Sequence, residues 1–342
     1  MTKNRKNIVL VVILCIIGGV AFWMYQKKHT SSIAENEFTQ FAIEDTASIQ
    51  KIFIADHDGN QALLERDPQS RLWNLNKKYK AREDAIKNLL QVIHRVRVRG
   101  NVANTARDNM MKIMATSGKK VEIYTTDPEE PTKVFYIGPN TPDHCGTIML
   151  LELDGEKSPE PYICHMEGFT GFLNPRFFAE EMEWRYTGIF DHPQLDIQKI
   201  DFQFNQPQWN YSISYAGGNN IRLEQNGLNI PLFDTLAVKD ILLRFKKVHV
   251  ESYRTFLKPN AEDSIQRTLP LLQISVLSNS GKTESVKLFA KRGKNEVQDE
   301  KGNWSPWDPE YAWALNDRNE MGLAQRYVFD PISIPLPQLI KK

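Results

Sequence analysis

IQKIFIAD, residues 49–56, and IQKIDFQF, residues 197–204, open with the same four residues and keep the same alternation of apolar and polar positions. Ile52 and Ile54 alternate as the inward positions of a half-buried strand do. After them come a turn at Asp58-Gly59 and a second alternating run around Leu63, which together form a hairpin pattern. In REDAIKNLLQVIHRVRVRG (82–100), Ile86, Leu89, Leu90 and Ile93 fall on one helical face, and Val96 and Val98 return the chain to a strand.

The same order recurs in the second half of the chain. YSISYAGGNNIRLEQNG (211–227) reads as two strands around Gly217-Gly218, and DTLAVKDILLRFKKVHV (234–250) repeats helix then strand. A third echo links ATSGKKVEIYTTDPEEPTKVFYIG (115–138) to LLQISVLSNSGKTESVKLFAK (271–291), each two strands around a polar turn. Three matches in one order predict an internal duplication. The expected fold class is α+β, with two tandem modules at 41–190 and 191–338. Each would be an antiparallel sheet with one face covered by a helix or two. TARDNMMKIMATSG (105–118) supplies the first copy with its second helix.

Ahead of the modules, Ile8 to Tyr25 are eighteen residues without a charge, flanked by Lys3, Arg5 and Lys6 and by Lys27 and Lys28. As a helix they would rise about 27 Å, close to the thickness of a bilayer core. A cleaved signal peptide would need a small-x-small pair after the run, and none precedes Lys27. A lipoprotein reading of Cys15 meets bulky Val12 and Leu14. The expectation is a single-pass anchor at 8–25, with a cytoplasmic tail at 1–7 and a spacer at 26–40. Basic residues concentrated before the span place the N-terminus inside. The bulk of the chain would then lie in the periplasm, held at the bacterial inner membrane.

The net charge of +1 hides an asymmetry. Five of the 43 basic residues flank the apolar run and no acid precedes Glu35, so the rest of the chain holds more acids than bases. No basic face for nucleic acid is implied. The chain has no phosphate-binding Gly-rich loop ending in Lys-Ser/Thr, no His-Glu-x-x-His and no Gly-x-Ser-x-Gly. DHDGN (56–60) has its glycine too early for a calcium loop and reads as a hairpin turn. No catalytic, cofactor or metal residue is assigned, and the chain is expected not to be an enzyme.

HCGTIMLLELDGEKSPEPYICH (144–165) sets His144-Cys145 and Cys164-His165 in mirror order. Adjacent ligands in an extended segment point to opposite faces, which handicaps a zinc site. Outside the cytoplasm the two cysteines read most simply as a Cys145–Cys164 disulfide across a hairpin, with buried reduced thiols as the alternative. Two aromatic stretches complete the inventory. GFTGFLNPRFFAEEMEWRYTGIF (168–190) crowds Phe169, Phe172, Arg176, Trp184 and Arg185 between the modules. GNWSPWDPEYAW (302–313) reads as an irregular loop carrying Trp304 and Trp307. Most rings of 168–190 are expected to pack where the modules join, and Trp304 and Trp307 either to plug a sheet edge or to stack on a ligand. The sharper alternative for both stretches is a partner or ligand surface, because such surfaces favour aromatics and Arg.

SIQKIFI (48–54), LLERDPQSRLWNLNKKYKAREDAIKNLLQVI (63–93), KVEIYTTDPEEPTKVFYIGPNTPDHCGTIMLL (120–151) and GFTGFLNPRFF (168–178) together resemble the bacterial family called domain of unknown function 4340. The resemblance covers the anchor and most of the outer region. It implies a membrane-anchored envelope protein, and some members resemble companions of ABC-transporter systems linked to gliding motility. It supplies no catalytic residues, and the two cysteines do not belong to its pattern. The leading expectation is therefore an accessory or scaffold protein that docks a membrane or periplasmic partner, such as transporter subunits. The alternatives are a binding module for cell-wall glycan or lipid, which exposed Trp304 or Trp307 would favour, and an envelope hydrolase with converging acids.

Overall fold

Alternating apolar residues build each sheet outward from its centre. The computed structural model describes residues 37–253, 257–298, 302 and 304–341, which divide into two compact units between Arg185 and Tyr186. In the first unit β1 (Lys51–Ala55) buries Ile52 and Ile54 and pairs with β2 (Gln61–Arg66). Asp56 shapes the turn between them by accepting from the amides of Asp58 and Asn60 at 3.0 and 2.9 Å. β3 (Trp73–Leu75) and β4 (Tyr79–Lys80) complete a meander. The helix Glu83–Arg95 then lays Ile86, Leu89, Val92 and Ile93 against the buried face of the sheet.

β5 (Val96–Asn101) leaves that helix directly, and a second helix, Asn104–Ser117, follows. β6 (Lys119–Tyr124), β7 (Lys133–Asn140), β8 (Thr147–Leu153), β9 (Glu156–Lys157) and β10 (Tyr162–Met166) finish the sheet. Its order is β4-β3-β2-β1-β6-β7-β8-β10-β5, with β9 attached to β8. Met149 and Leu151 join the core under the first helix, while Ile148 and Leu150 point the other way and pack with Met114 of the second. Each fully buried Leu or Ile contributes about 1.5–3 kcal/mol, so this two-sided cover is the main source of the unit's stability.

The second unit begins with β11 (Gly188–Phe190) and a central strand, β12 (Ile197–Phe204). β13 (Tyr211–Tyr215), β14 (Ile221–Gln225) and β15 (Leu228–Ile230) form its meander, and the helix Thr235–Arg244 follows, with Asp234 as its N-cap. β16 (Val248–His249) pairs with β11, and β17 (Ser252–Tyr253) lies at a sheet edge. After the helix Pro259–Gln266 come β18 (Leu272–Ser278), β19 (Thr283–Gln298), β20 (Trp304–Asn316) and β21 (Met321–Gln325). The order β15-β14-β13-β12-β18-β19-β20-β21-β17 runs parallel, place for place, to that of the first unit. β1 and β12, the strands with the shared IQKI, hold the same position in the two orders.

The α+β class expected from the sequence is corrected. Strands take 41% of the described residues against 23% for helices, and they form antiparallel sheets of ten and nine, so the described chain is predominantly β. The helices are short covers, whereas runs that read as loops extend the sheets. GNWSPWDPEYAW, expected to be irregular, contains the outer half of β20. Pro306 and Pro309 are compatible with a strand there because β20 outruns β21, whose pairing ends at Tyr311. Among the described residues no helix is long and apolar enough to cross a membrane. The tail expected at 1–7, the span at 8–25 and the spacer as far as residue 36 lie outside the described residues.

Candidate functional site

Two rows of paired residues cross one face of the second sheet. Phe204, Leu272 and Leu288 are register partners on β12, β18 and β19, and Ala290, Ala312 and Ala324 are partners on β19, β20 and β21. Paired residues share a face, and so do residues two apart on a strand, so the alanine row continues the leucine row. Above this floor stand Ile265 from the helix Pro259–Gln266, Thr268 and Leu269 just after it, Trp209, and Phe329 and Pro335 from the chain after β21. They enclose about 700 Å³. That is within the roughly 300–1,000 Å³ of small-molecule sites.

The mouth is apolar and exposed. Leu269 is 73% exposed and Trp307 52% exposed, and both line the cavity. Charge enters it as pairs. Lys291 Nζ donates to Asp308 Oδ2 at 2.5 Å, and Asp308 Oδ1 accepts from the amides of Glu310 and Tyr311, each at 3.0 Å. Burial alone would raise the Asp308 carboxyl, but the hydrogen bonds from Lys291 and the two amides outweigh it and hold the group below its ordinary value. Arg326 Nε lies 3.2 Å from Asp330 Oδ2 on another part of the lining.

The same place in the first unit is closed. Its rows are Lys119, Ile137, Met149 and Tyr162, then Asn140, Thr147 and Cys164. Leu173 donates its amide to Thr147 Oγ1 at 2.9 Å, Asn174 Nδ2 donates to the Gly138 carbonyl at 3.1 Å, and Lys119 Nζ donates to the Phe177 carbonyl at 2.9 Å. Leu173 and Phe177 are fully buried as a result.

The residues singled out in 168–190 serve that closure. Trp184 is buried, donates its indole N–H to the Phe178 carbonyl at 2.9 Å and meets the Phe178 ring edge-on. Arg185 is buried with its guanidinium 3.9 Å from the Tyr79 ring centroid. As a partner or ligand surface, Trp184 and Arg185 are therefore corrected: burial of the large indole is favourable, and the contact with the Tyr79 ring offsets part of the cost of burying the Arg185 charge. Phe169 packs against the core and carries the Arg176 guanidinium at 4.1 Å, while Arg176 Nη1 donates to the Phe172 carbonyl at 3.2 Å. Phe172 is half-buried against the His144 ring.

The expected Cys145–Cys164 disulfide is also corrected, since both thiols are free and lie too far apart to be joined. The register opposes Cys164 to Thr147, two residues past Cys145, and turns the Cys164 side chain into the core. Cys145 sits in the β7–β8 turn, where its amide donates to Asp143 Oδ1. Burial pushes the Cys164 thiol well up.

Trp304 and Trp307 do stand in solvent, Trp304 at 66% exposure on the outer part of β20. Sequence reasoning missed the cavity floor entirely. Its trace is visible once the two units are compared strand by strand: FAK, YAW and LAQ carry alanines where the first unit has Asn140, Thr147 and Cys164. Among the described residues no group of three or more His, Cys, Asp and Glu is arranged around a common metal position. In comparisons with family models, curated proteins and solved structures, the chain matches none.

Proposed function

We propose that this chain is a membrane-anchored envelope protein whose second unit binds a long-chain amphiphile. The observation that carries the reading is the alanine-floored cavity of about 700 Å³ that keeps Leu269 and Trp307 exposed at its mouth. An acyl chain lying along Leu272, Leu288 and the alanine row would gain about 0.8 kcal/mol for each methylene removed from water. The head would meet Asn205, Gln206 and the Lys291–Asp308 pair, which line the same space. The reading is binding without chemistry, because the lining acids Asp308 and Asp330 are each engaged by a cation.

Native mass spectrometry of the full-length protein released from lipid nanodiscs tests it. The wild type is expected to retain one lipid-mass adduct, and Ala312→Leu/Ala324→Leu to lose it by filling the floor. An adduct that survives in the double variant, or a wild type without one, overturns the reading.

Trp304 favours a second role. It lies beyond the last residue of β20 that pairs with β21, on an arm held mainly by its partner strand β19. So exposed an indole on a two-stranded arm suits a protein contact, consistent with an accessory protein of an envelope complex such as a transporter. Cross-linking in the source cells should then attach 302–313 to a membrane or periplasmic protein. Cross-links confined to other segments would count against it.

A further inference from the structure

We infer that the second unit touches the bilayer through a leucine face formed by β15 and the helix Thr235–Arg244. Leu228, Leu232 and Leu236 are 75%, 68% and 79% exposed. Leu243, two helical turns beyond Leu236 and therefore on the same side, is exposed as well, while Val238, Ile241 and Leu242 of that helix face the core. Phe233 forms a β-bridge with Ile340, and the Leu232 carbonyl accepts from the Lys341 amide, so the C-terminal residues border the same face. Ile340 adds one more exposed apolar side chain.

A lone exposed leucine needs no explanation, but several within one short stretch mark a contact surface. Two features favour lipid over protein as the occupant. The first is charge. From Gln225 through Phe233 there is no charged residue, and Lys239, Arg244 and Lys341 flank the leucines, while Asp240, an exposed acid between Leu236 and Leu243, is paired with Arg244 at 2.8 Å. Asp234, the acid nearest in sequence, is turned into the helix, where its Oδ1 accepts from the amides of Leu236 and Ala237 at 2.9 and 3.0 Å. Apolar residues bordered by cations are the pattern of a segment lying in an anionic membrane interface. The second is length. The uncharged run ends at Tyr25, and only a short stretch separates it from Glu37, where the described chain begins. That tether joins the first unit, and the second, covalently continuous with it, shares the raised effective concentration at the bilayer, so a modest leucine face suffices. The inference rests on this tether and is independent of the amphiphile cavity.

The test is photolabelling of the full-length protein in vesicles of phosphatidylethanolamine and phosphatidylglycerol, part of the former carrying a diazirine in its acyl chain. Peptide mapping should find lipid adducts on 226–243 as well as on 8–25. Leu228→Ser/Leu232→Ser/Leu236→Ser changes only exposed side chains and should lose the first set while keeping the second. Adducts on 8–25 alone overturn the face and leave the tether standing. Adducts on neither segment overturn both. Adducts on the cavity residues 269–312 would speak to the amphiphile reading only. If 226–243 captures a protein and no lipid in native membranes, the occupant is a protein and the inference fails.

Discussion

The two sheets have one strand order and opposite endings. In the first unit the middle of the closing row is Thr147, whose hydroxyl accepts from the Leu173 amide and donates to Asn140 Oδ1. In the second it is Ala312, between Ala290 and Ala324. Thr147 gives the chain that follows β10 a polar point of attachment, and that chain descends and buries Leu173 and Phe177. A row of methyl groups offers nothing to bind an incoming amide. The chain after β21 is instead tied elsewhere, with Ser333 Oγ donating to the Phe329 carbonyl at 2.6 Å, the Tyr211 hydroxyl donating to the Ile334 carbonyl at 2.9 Å and the Asp234 amide to the Leu339 carbonyl at 2.7 Å. One hydroxyl, and the bulk of Tyr162 and Met149 where the second sheet has Gly322 and Ala314, thus separate a plugged end from an open one.

The contrast can be broken most severely at the plug. Trp184→Ala removes the largest fully buried side chain, and about 3–5 kcal/mol of the first unit's stability should go with it. Urea unfolding of the full-length protein should show an earlier transition for the first unit and an unmoved one for the second. A change within about 0.5 kcal/mol, the range of ordinary surface substitutions, would mean that the 168–190 stretch is not interior after all.

Thr147→Ala converts the first row toward the second. It leaves the Leu173 amide without its acceptor, at a cost of about 1–3 kcal/mol. Hydrogen exchange at Leu173 should accelerate while the amides of β1 and β6 keep their protection. Unchanged exchange at Leu173 would show that the plug is held by side-chain packing and not by this bond.

The smallest effect concerns acid. Asp143, in the β7–β8 turn, is held at about 2 by the Thr141 hydroxyl, the Cys145 amide and Arg99. Asp308, within β20 and four residues before Ala312 as Asp143 is four before Thr147, is also held below its ordinary 3.8. A depressed carboxyl stabilises the folded state fully above its unfolded value, and the contribution is lost as pH falls through the folded value. Below pH 3.8 the Lys291–Asp308 pair should therefore weaken. Tryptophan emission from β20 should shift in that range, and Asp308→Asn should show the shifted emission already at neutral pH. A titration identical in wild type and variant would detach the cavity mouth from this ion pair.

Much of the fold was legible because its signals are local. Period-two alternation placed β1, β2, β12 and β13, and the helical spacing of Ile86, Leu89 and Ile93 placed the first helix. The order of these elements in the two units could be read along the chain. Their proportion could not: β3, β4, β9 and β15 are two or three residues long and carry no period, and Pro306 and Pro309 disguised a strand as a loop. Trp304 and Trp307 could be nominated for a surface by type. Trp184, nominated on the same grounds, went to the core, because composition does not say which side of a packed segment a ring will face.

By itself, then, the sequence determined where strands and helices form and that their order repeats, since alternation, helical spacing and turn residues act over a few positions. The tertiary structure alone decided which distant strands became neighbours and in what register. That register separates Cys145 from Cys164, brings Thr147 under Leu173, and aligns Ala290, Ala312 and Ala324 across three strands. A cavity is the absence of atoms from several segments at one point in space, and no single segment records it.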